Sequence, residues 1–220
     1  MSESVLHHDL LTELGLEHGF GTRNGPVRDA VIRPVQVHGA AVARVVEGDR
    51  ADPAEADAIL AVAPGRAIGV VTADCVPILV ASSDGGAVAA IHAGWRGLAA
   101  GVVERGLRAL SARAVEGPVR AVVGPHIGPC CYEVDSPVLE ALASRFGSAA
   151  LSRATTSSRP GHAMLDLASL ISDEFDSFEL PRSVQGRVAG CTQCDAARFH
   201  SFRRDGDHAG RMLHFIVPCG

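Results

Sequence analysis

No lysine occurs anywhere in these 220 residues; all twenty basic residues are arginine. That absence excludes a Schiff-base lysine and the phosphate-gripping lysine of a P-loop. Aromatic residues are scarce at 4%, so the core has to be built from Ala, Val, Leu and Ile. Long apolar runs are missing too. The most apolar stretch, 67–81, is interrupted by Asp74 and Pro77 and falls short of the roughly 20 residues that span a bilayer, so no membrane partner is expected. Residues 1–20 carry Glu3, His7, His8, Asp9 and Glu13 with no basic segment ahead of an apolar block, which is not a signal-peptide pattern. A basic surplus is also lacking. The net charge of −5 argues against nucleic acid as a partner, because neutralising phosphates takes a basic face. With six cysteines and no export signal, the thiols are expected to be reduced and the chain cytoplasmic.

What remains is enzyme-like: 47% hydrophobic and 20% charged residues, in a length that suits one domain spanning 1–220. The pattern predicts a helix over 5–16, a glycine-rich turn over 19–26 and extended segments over 30–37 and 41–46, followed by a polar connection at 52–56. Buried-type strands are expected at 67–72, 76–82 and 87–91, with a hairpin turn at Ser83-Asp84-Gly85-Gly86. Helical spacing appears over 98–110 and a strand over 119–123. A helix over 136–146 is capped by Ser136 with Pro137 at its first position. An exposed loop at 147–161, a helix at 164–175, a short apolar piece at 187–189 and a last strand at 212–217 complete the reading. Strands and helices are mixed, which predicts an α/β or α+β fold in layers.

Three reactive side chains stand where strand patterns stop: His38, Cys75 and His92. Strand ends of a mixed sheet project side chains from a rigid frame into a crevice. Two imidazoles and a thiolate form a borderline-soft set that suits Zn²⁺ with a fourth position open. Their wide separation in sequence permits such a site without proving it. A satisfied polar histidine and an inert buried cysteine are the ordinary alternatives for each residue alone.

Five blocks carry a more specific signal. They are Gln36-Val37-His38-Gly39, Thr72-Ala73-Asp74-Cys75-Val76-Pro77, Ile91-His92-Ala93-Gly94-Trp95-Arg96-Gly97, Gly128-Pro129-Cys130-Cys131-Tyr132-Glu133-Val134 and Ser201-Phe202-Arg203-Arg204-Asp205-Gly206. Together, and in this order, they resemble the laccase-domain family, also called multicopper polyphenol oxidoreductase, purine nucleoside phosphorylase or peptidoglycan editing factor. The resemblance implies a layered fold similar to a cysteine-hydrolase-like superfamily, with His38, Cys75 and His92 as zinc ligands. It further implies phosphorolysis of adenosine, inosine and methylthioadenosine, adenosine deamination beside it, and small-molecule partners, namely a purine nucleoside and phosphate. Copper-dependent polyphenol oxidation and editing of peptidoglycan precursors are attributed to the same family. Two departures stand out. The stretch between Pro26 and Gln36 is shorter than in the family, and His200 and His126 replace an aromatic and a small residue.

A metal on the three ligands would lower the pKa of its water to about 7, the nucleophile that deamination at C6 of adenine needs. Asp74 is the candidate proton shuttle, with turn capping as its alternative role. A phosphate clamp without lysine must come from arginine and backbone N–H groups, which singles out Arg23 and Arg96, while Gln36 and Cys130 sit in the blocks that carry the resemblance as further substrate-binding candidates. Arg203, Arg204 and Arg211 are expected to pair with Asp205 and Asp207 instead. The competing mechanism uses the same atoms without metal: Cys75 as nucleophile and His92 as base of an amide hydrolase. A multicopper oxidase reads poorly, since none of the ten histidines forms a His-x-His pair. A non-enzymatic metal-binding module is the remaining alternative. Cys191 and Cys194 have redox-pair or half-zinc-site spacing, but without a second Cys-x-x-Cys they are read as core or loop thiols. Cys130 and Cys131 are expected to split between pocket and core. Trp95 is expected to pack.

Overall fold

The computed structural model describes residues 4–25, 30–45, 54–112 and 117–220. The first two residues of the expected 52–56 connection, and the end of the 41–46 segment, lie outside them.

Four strands come first, β1 (Val5–Leu6), β2 (His18–Gly21), β3 (Val42–Val45) and β4 (Ala58–Ala61). Then follow β5 (Ile68–Thr72), β6 (Val76–Ala81), β7 (Val88–Ala93) and β8 (Arg120–Val123). The rest are β9 (Glu133–Asp135), β10 (Thr155–Ser157), β11 (His162–Leu165), β12 (Gln185–Arg187) and β13 (Met212–Ile216). The helices are α1 (Asp9–Thr12), α2 (Trp95–Ala99), α3 (Val102–Ser111), α4 (Ser136–Phe146), α5 (Ser148–Ala154), α6 (Leu167–Ser177) and α7 (Phe202–Asp205).

A six-stranded mixed sheet, ordered β12-β8-β6-β7-β4-β3, forms the centre. A four-stranded antiparallel sheet, β1-β2-β13-β5, covers one face, and helices cover the other. The alternation of strand side chains makes this visible residue by residue. Ala89, Ile91 and Ala93 of β7 join the helical core with Leu107, Leu142 and Leu170. Val88 and Ala90 join the other core with Phe20, Ile68, Val70 and Ile216. Because both faces are buried, these strands read as continuous apolar runs. The arrangement is mixed α/β, as expected.

Several local expectations fail for physical reasons. Residues 5–16 are not one helix: Val5–Leu6 pair with Gly21 and Phe20, leaving only the short α1. Gly19 and Gly21 are strand residues rather than turn residues. A Cβ at Gly19 would meet Val5 Cγ1 at 2.1 Å and one at Gly21 would meet the Leu213 carbonyl oxygen at 2.3 Å, so glycine here permits close strand packing. The 98–110 helix is two helices broken at Gly101, whose φ of 83° is left-handed. Asp135 rather than Ser136 stands at the start of α4, and the Ser136 hydroxyl donates to Gly161 O instead. The expected loop at 147–161 contains α5 and β10. The 164–175 helix starts later, where Asp166 accepts from the backbone N–H groups of Ala168 and Ser169. Among the described residues no helix is long and apolar enough to cross a membrane.

Candidate functional site

His92 is the penultimate residue of β7, inside its strand rather than beyond the end. It shares the face of Val88 and Ala90, and Ala58 pairs with Ile91, so Asp57 at the mouth of β4 falls opposite it. The Asp57 carboxylate is fully buried and accepts from His92 Nδ1 at 2.7 Å. It also accepts from the backbone N–H groups of Val37 (3.2 Å), His38 (3.0 Å) and Gly39 (2.6 Å). His38 itself takes a left-handed φ of 58°, which curls these consecutive N–H groups around one anion. Asp57 therefore fixes both histidines: one through its ring, the other through its backbone.

Cys75 lies at the crossing from the four-stranded sheet (β5) to the six-stranded one (β6). Asp74, at a φ of 95°, makes the corner sharp. The corner is held from outside: Asp74 accepts from Thr192 Oγ1 and from Arg203 N–H, both at 2.6 Å, and its carbonyl accepts from Ile127 N–H at 3.0 Å. The result is convergence. One donor atom each of His38, Cys75 and His92 lies within 4.8 Å of the others, and the two imidazoles meet edge-on with centroids 4.9 Å apart. Gly94 closes the floor, where a Cβ would stand 3.0 Å from Cys75 Sγ and 3.1 Å from His38 Cδ2.

Charge coupling follows from this packing. Burial alone would raise the Cys75 thiol, but hydrogen bonding to His38 and His92, and their charge, bring it down to about 7. Burial alone would lower His92, yet Asp57 and the sulfur push it up to about 9. Burial works against an ionised Asp57 as well, and the His92 and Gly39 hydrogen bonds overcome it, so its carboxyl is held below its ordinary value. An anionic sulfur beside two imidazoles, one oriented by a carboxylate, is a donor set that fits a borderline-soft divalent cation. With Nδ1–H given to Asp57, His92 turns Nε2 to the site, where it would give up its proton to a bound cation.

The other candidates are placed elsewhere or otherwise engaged. Gln36 spends both ends of its amide on the Val71 backbone, each at 2.8 Å, which anchors the 36–39 segment to β5. Arg23 is tied to the 196–198 loop through Ala196 O and its own N–H to Arg198 O. Arg96 lies over the Trp95 ring at 4.4 Å. Arg203 covers the Tyr132 ring at 5.1 Å, and a hollow of about 300 Å³ is lined by Trp95, Tyr132 and Arg203 among others. Arg204 does pair with Asp205, at 2.7 Å. A hollow of about 720 Å³ lies apart from the trio, lined by Glu104, Arg145, Glu174 and neighbours. Cys130 is not separated from Cys131: both gather with the loop thiols Cys191 and Cys194, within 4.8 Å of one another, so the pocket–core split does not occur. Asp57 escaped the sequence reading. Its one signal is a carboxylate directly ahead of the apolar run 58–63.

Residues 21–218 match the family model for multi-copper polyphenol oxidoreductase laccase. The chain belongs to this family. It is similar to a protein named purine nucleoside phosphorylase YlmD from Geobacillus stearothermophilus, 34% identical over 192 residues that cover 82% of this chain and 69% of that one. It also resembles the purine nucleoside phosphorylase PA4543 of Pseudomonas aeruginosa, 38% identical over 181 residues covering 82% and 71%. A protein from an unknown prokaryotic organism named adenosine deaminase RL5 is 34% identical over 198 residues, covering 84% and 74%. The crystal structure of Geobacillus stearothermophilus YlmD superposes with a TM-score of 0.87 at 26% identity, covering 100% of this chain and 98% of that one. That of Neisseria meningitidis protein NMB0706 gives 0.86 at 26% identity, covering 99% and 100%. Although the family description names copper, the donor groups of three or more among the described residues are this trio and the four cysteines, neither of them a cluster of imidazoles alone.

Proposed function

We propose that the chain is a zinc-dependent purine nucleoside phosphorylase, acting on adenosine, inosine and methylthioadenosine, with adenosine deamination at the same site. The observation that carries this reading is the convergence of His38, Cys75 and His92 over Gly94, backed by the buried Asp57. Similarity to two proteins named phosphorylases and one named adenosine deaminase supports the substrate class. These three residues would hold Zn²⁺, which when bound supplies a Lewis acid that stabilises negative charge developing in the reaction.

The chain's own residues then bind and orient. In phosphorolysis a phosphate oxygen forms a bond to C1′ as the N-glycosidic bond breaks and its electron pair leaves with the base. Arg96, stacked on Trp95 and paired with no carboxylate among the described residues, suits the anionic nucleophile. Val37 and Phe202, each about half exposed and next in sequence to His38 and Arg203, are apolar side chains that a purine could cover. Asp74 is a positioning residue in this reading, since both of its carboxylate oxygens hold the corner that presents Cys75. The test is base release from inosine and adenosine with and without phosphate, alongside ammonia release. Phosphate-dependent release that disappears in Cys75→Ala is expected; release indifferent to that change would overturn the reading.

A second reading rests on the Cys75–His92–Asp57 chain itself, which is also a nucleophile, base and orienting carboxylate. It is a metal-free amide hydrolase acting on peptidoglycan precursors. Alkylation of Cys75 in metal-stripped protein that retains amidase activity beforehand and loses it afterwards would favour it.

A further inference from the structure

The four remaining clustered cysteines come from two loops brought side by side. One is the turn after β8, where Cys131 and Tyr132 donate their N–H groups to Gly128 O at 3.0 and 3.1 Å. The other follows β12, where Asp195 N–H donates to Cys191 O at 3.1 Å. A parallel bridge between His126 and Cys191 joins them, with Thr192 N–H donating to His126 O at 3.0 Å. Sulfur separations are 3.7 Å for Cys130–Cys191, 3.6 Å for Cys130–Cys194 and 3.3 Å for Cys131–Cys194. A tetrahedron with metal–sulfur bonds of about 2.3 Å has sulfur–sulfur edges of about 3.8 Å. A disulfide needs about 2.05 Å and a single partner for each sulfur, whereas Cys130 and Cys194 each have two sulfurs at near-equal range. Gly128 N–H donates to Cys191 Sγ at 3.2 Å, the backbone support that an anionic ligand sulfur uses.

We propose that Cys130, Cys131, Cys191 and Cys194 form a second cation site, a closed tetrathiolate that takes Zn²⁺ and staples the 128–132 turn to the 191–195 turn. Four sulfur–zinc bonds form as the thiols release their protons to solvent, and nothing is oxidised. With all four positions filled by protein the site is structural. Its effect reaches the first site through Thr192, the neighbour of Cys191, whose hydroxyl holds Asp74 and so the corner carrying Cys75. Arg204 braces the same turn from the far side, donating to Thr192 O at 2.9 Å and Gln193 O at 3.2 Å.

The full chain, purified without chelator or metal-affinity resin, is assayed for metal content, with Cys75→Ser isolating the four-cysteine site. One zinc per chain is expected to persist in Cys75→Ser and to disappear in Cys75→Ser/Cys194→Ser. Cobalt loaded into Cys75→Ser should give tetrahedral visible bands and near-ultraviolet charge transfer scaled to four thiolates. The proposal is independent of the phosphorylase reading: wild-type protein holding one zinc that survives Cys75→Ser would sink the first site and leave the second standing. A Cys75→Ser chain with no bound metal, with stoichiometric iron in place of zinc, or with a mass lowered by disulfide formation overturns it. Should Cys75→Ser/Cys194→Ser fail to fold, metal content and cobalt spectrum of Cys75→Ser decide alone.

Discussion

Replacing Asp57 by Asn tests how much of the site depends on one buried carboxylate. The wild-type group accepts four hydrogen bonds, from His92 Nδ1 and from the N–H groups of Val37, His38 and Gly39. An isosteric amide keeps one oxygen. Set on the side of Val37 and Gly39, it still accepts from both, while its NH₂ faces His38 N–H and His92 Nδ1. The His38 bond is lost, and His92 can keep its bond only by moving its proton to Nε2, so that Nδ1 accepts. One charge-assisted hydrogen bond is then missing, and the metal-free protein should lose about 1.5–3 kcal/mol of stability.

The larger effect falls on function. A proton on Nε2 occupies the lone pair that points toward Cys75, and loss of a histidine's outer partner lowers metal affinity by about 10–100-fold. Competition with a chelator of known affinity measures the second quantity. Urea unfolding of chelator-treated protein measures the first, without the stabilisation that bound metal itself contributes. An Asp57→Asn protein whose affinity at the trio stays within about threefold of wild type would refute the argument that this carboxylate sets the His92 tautomer.

Other perturbations separate packing from chemistry. Gly94→Ala puts a methyl 3.0 Å from Cys75 Sγ and 3.1 Å from His38 Cδ2, so nucleoside turnover should fall at least about tenfold while the melting temperature changes by only a few degrees. Arg145→Ala removes the partner of Glu174, a nearly buried carboxylate 2.8 Å away whose burial already raises its carboxyl; urea unfolding should show a loss of about 1–3 kcal/mol, discounted because Arg145 is itself part-exposed, with unchanged turnover. His214 is held neutral by burial and the charge of His92, down to about 3, whereas the unfolded chain protonates near 6.5. The unfolded form binds the extra proton as pH falls below 6.5, so this residue should cost up to about 1.4 kcal/mol per pH unit until near pH 3, visible as a steeper pH dependence of urea unfolding in wild type than in His214→Gln.

Much of the architecture was legible because its signals are local. The runs 68–72, 76–81 and 88–93 are apolar on both faces and bounded by turn residues, and they are strands. The 136–146 helix follows from spacing and from Pro137 near its start. Errors arose where a residue answers to a distant neighbour. Gly19 and Gly21 read as turn glycines by composition, yet their smallness serves Val5, Phe215 and the Leu213 backbone. Gly101 breaks a helix that periodicity alone would continue, with Arg145 as its close neighbour.

The site divides along the same line. His38, Cys75 and His92 stood out because each ends or nearly ends a strand pattern, a local feature that the sheet order then brings together. Asp57 was invisible for the opposite reason. One carboxylate before an apolar strand looks like any edge residue until strand pairing places it against His92 and a loop wraps three N–H groups around it. The cysteines make the point most sharply. Cys130-Cys131 and Cys191-x-x-Cys194 are each half of a ligand set, and a half-set carries little meaning in sequence. Only the bridge between His126 and Cys191 completes it, and that bridge depends on β12 lying parallel beside β8 at the edge of the central sheet. Pairing of the edge strand β12 with β8, not the spacing of cysteines, decides whether these four thiols meet.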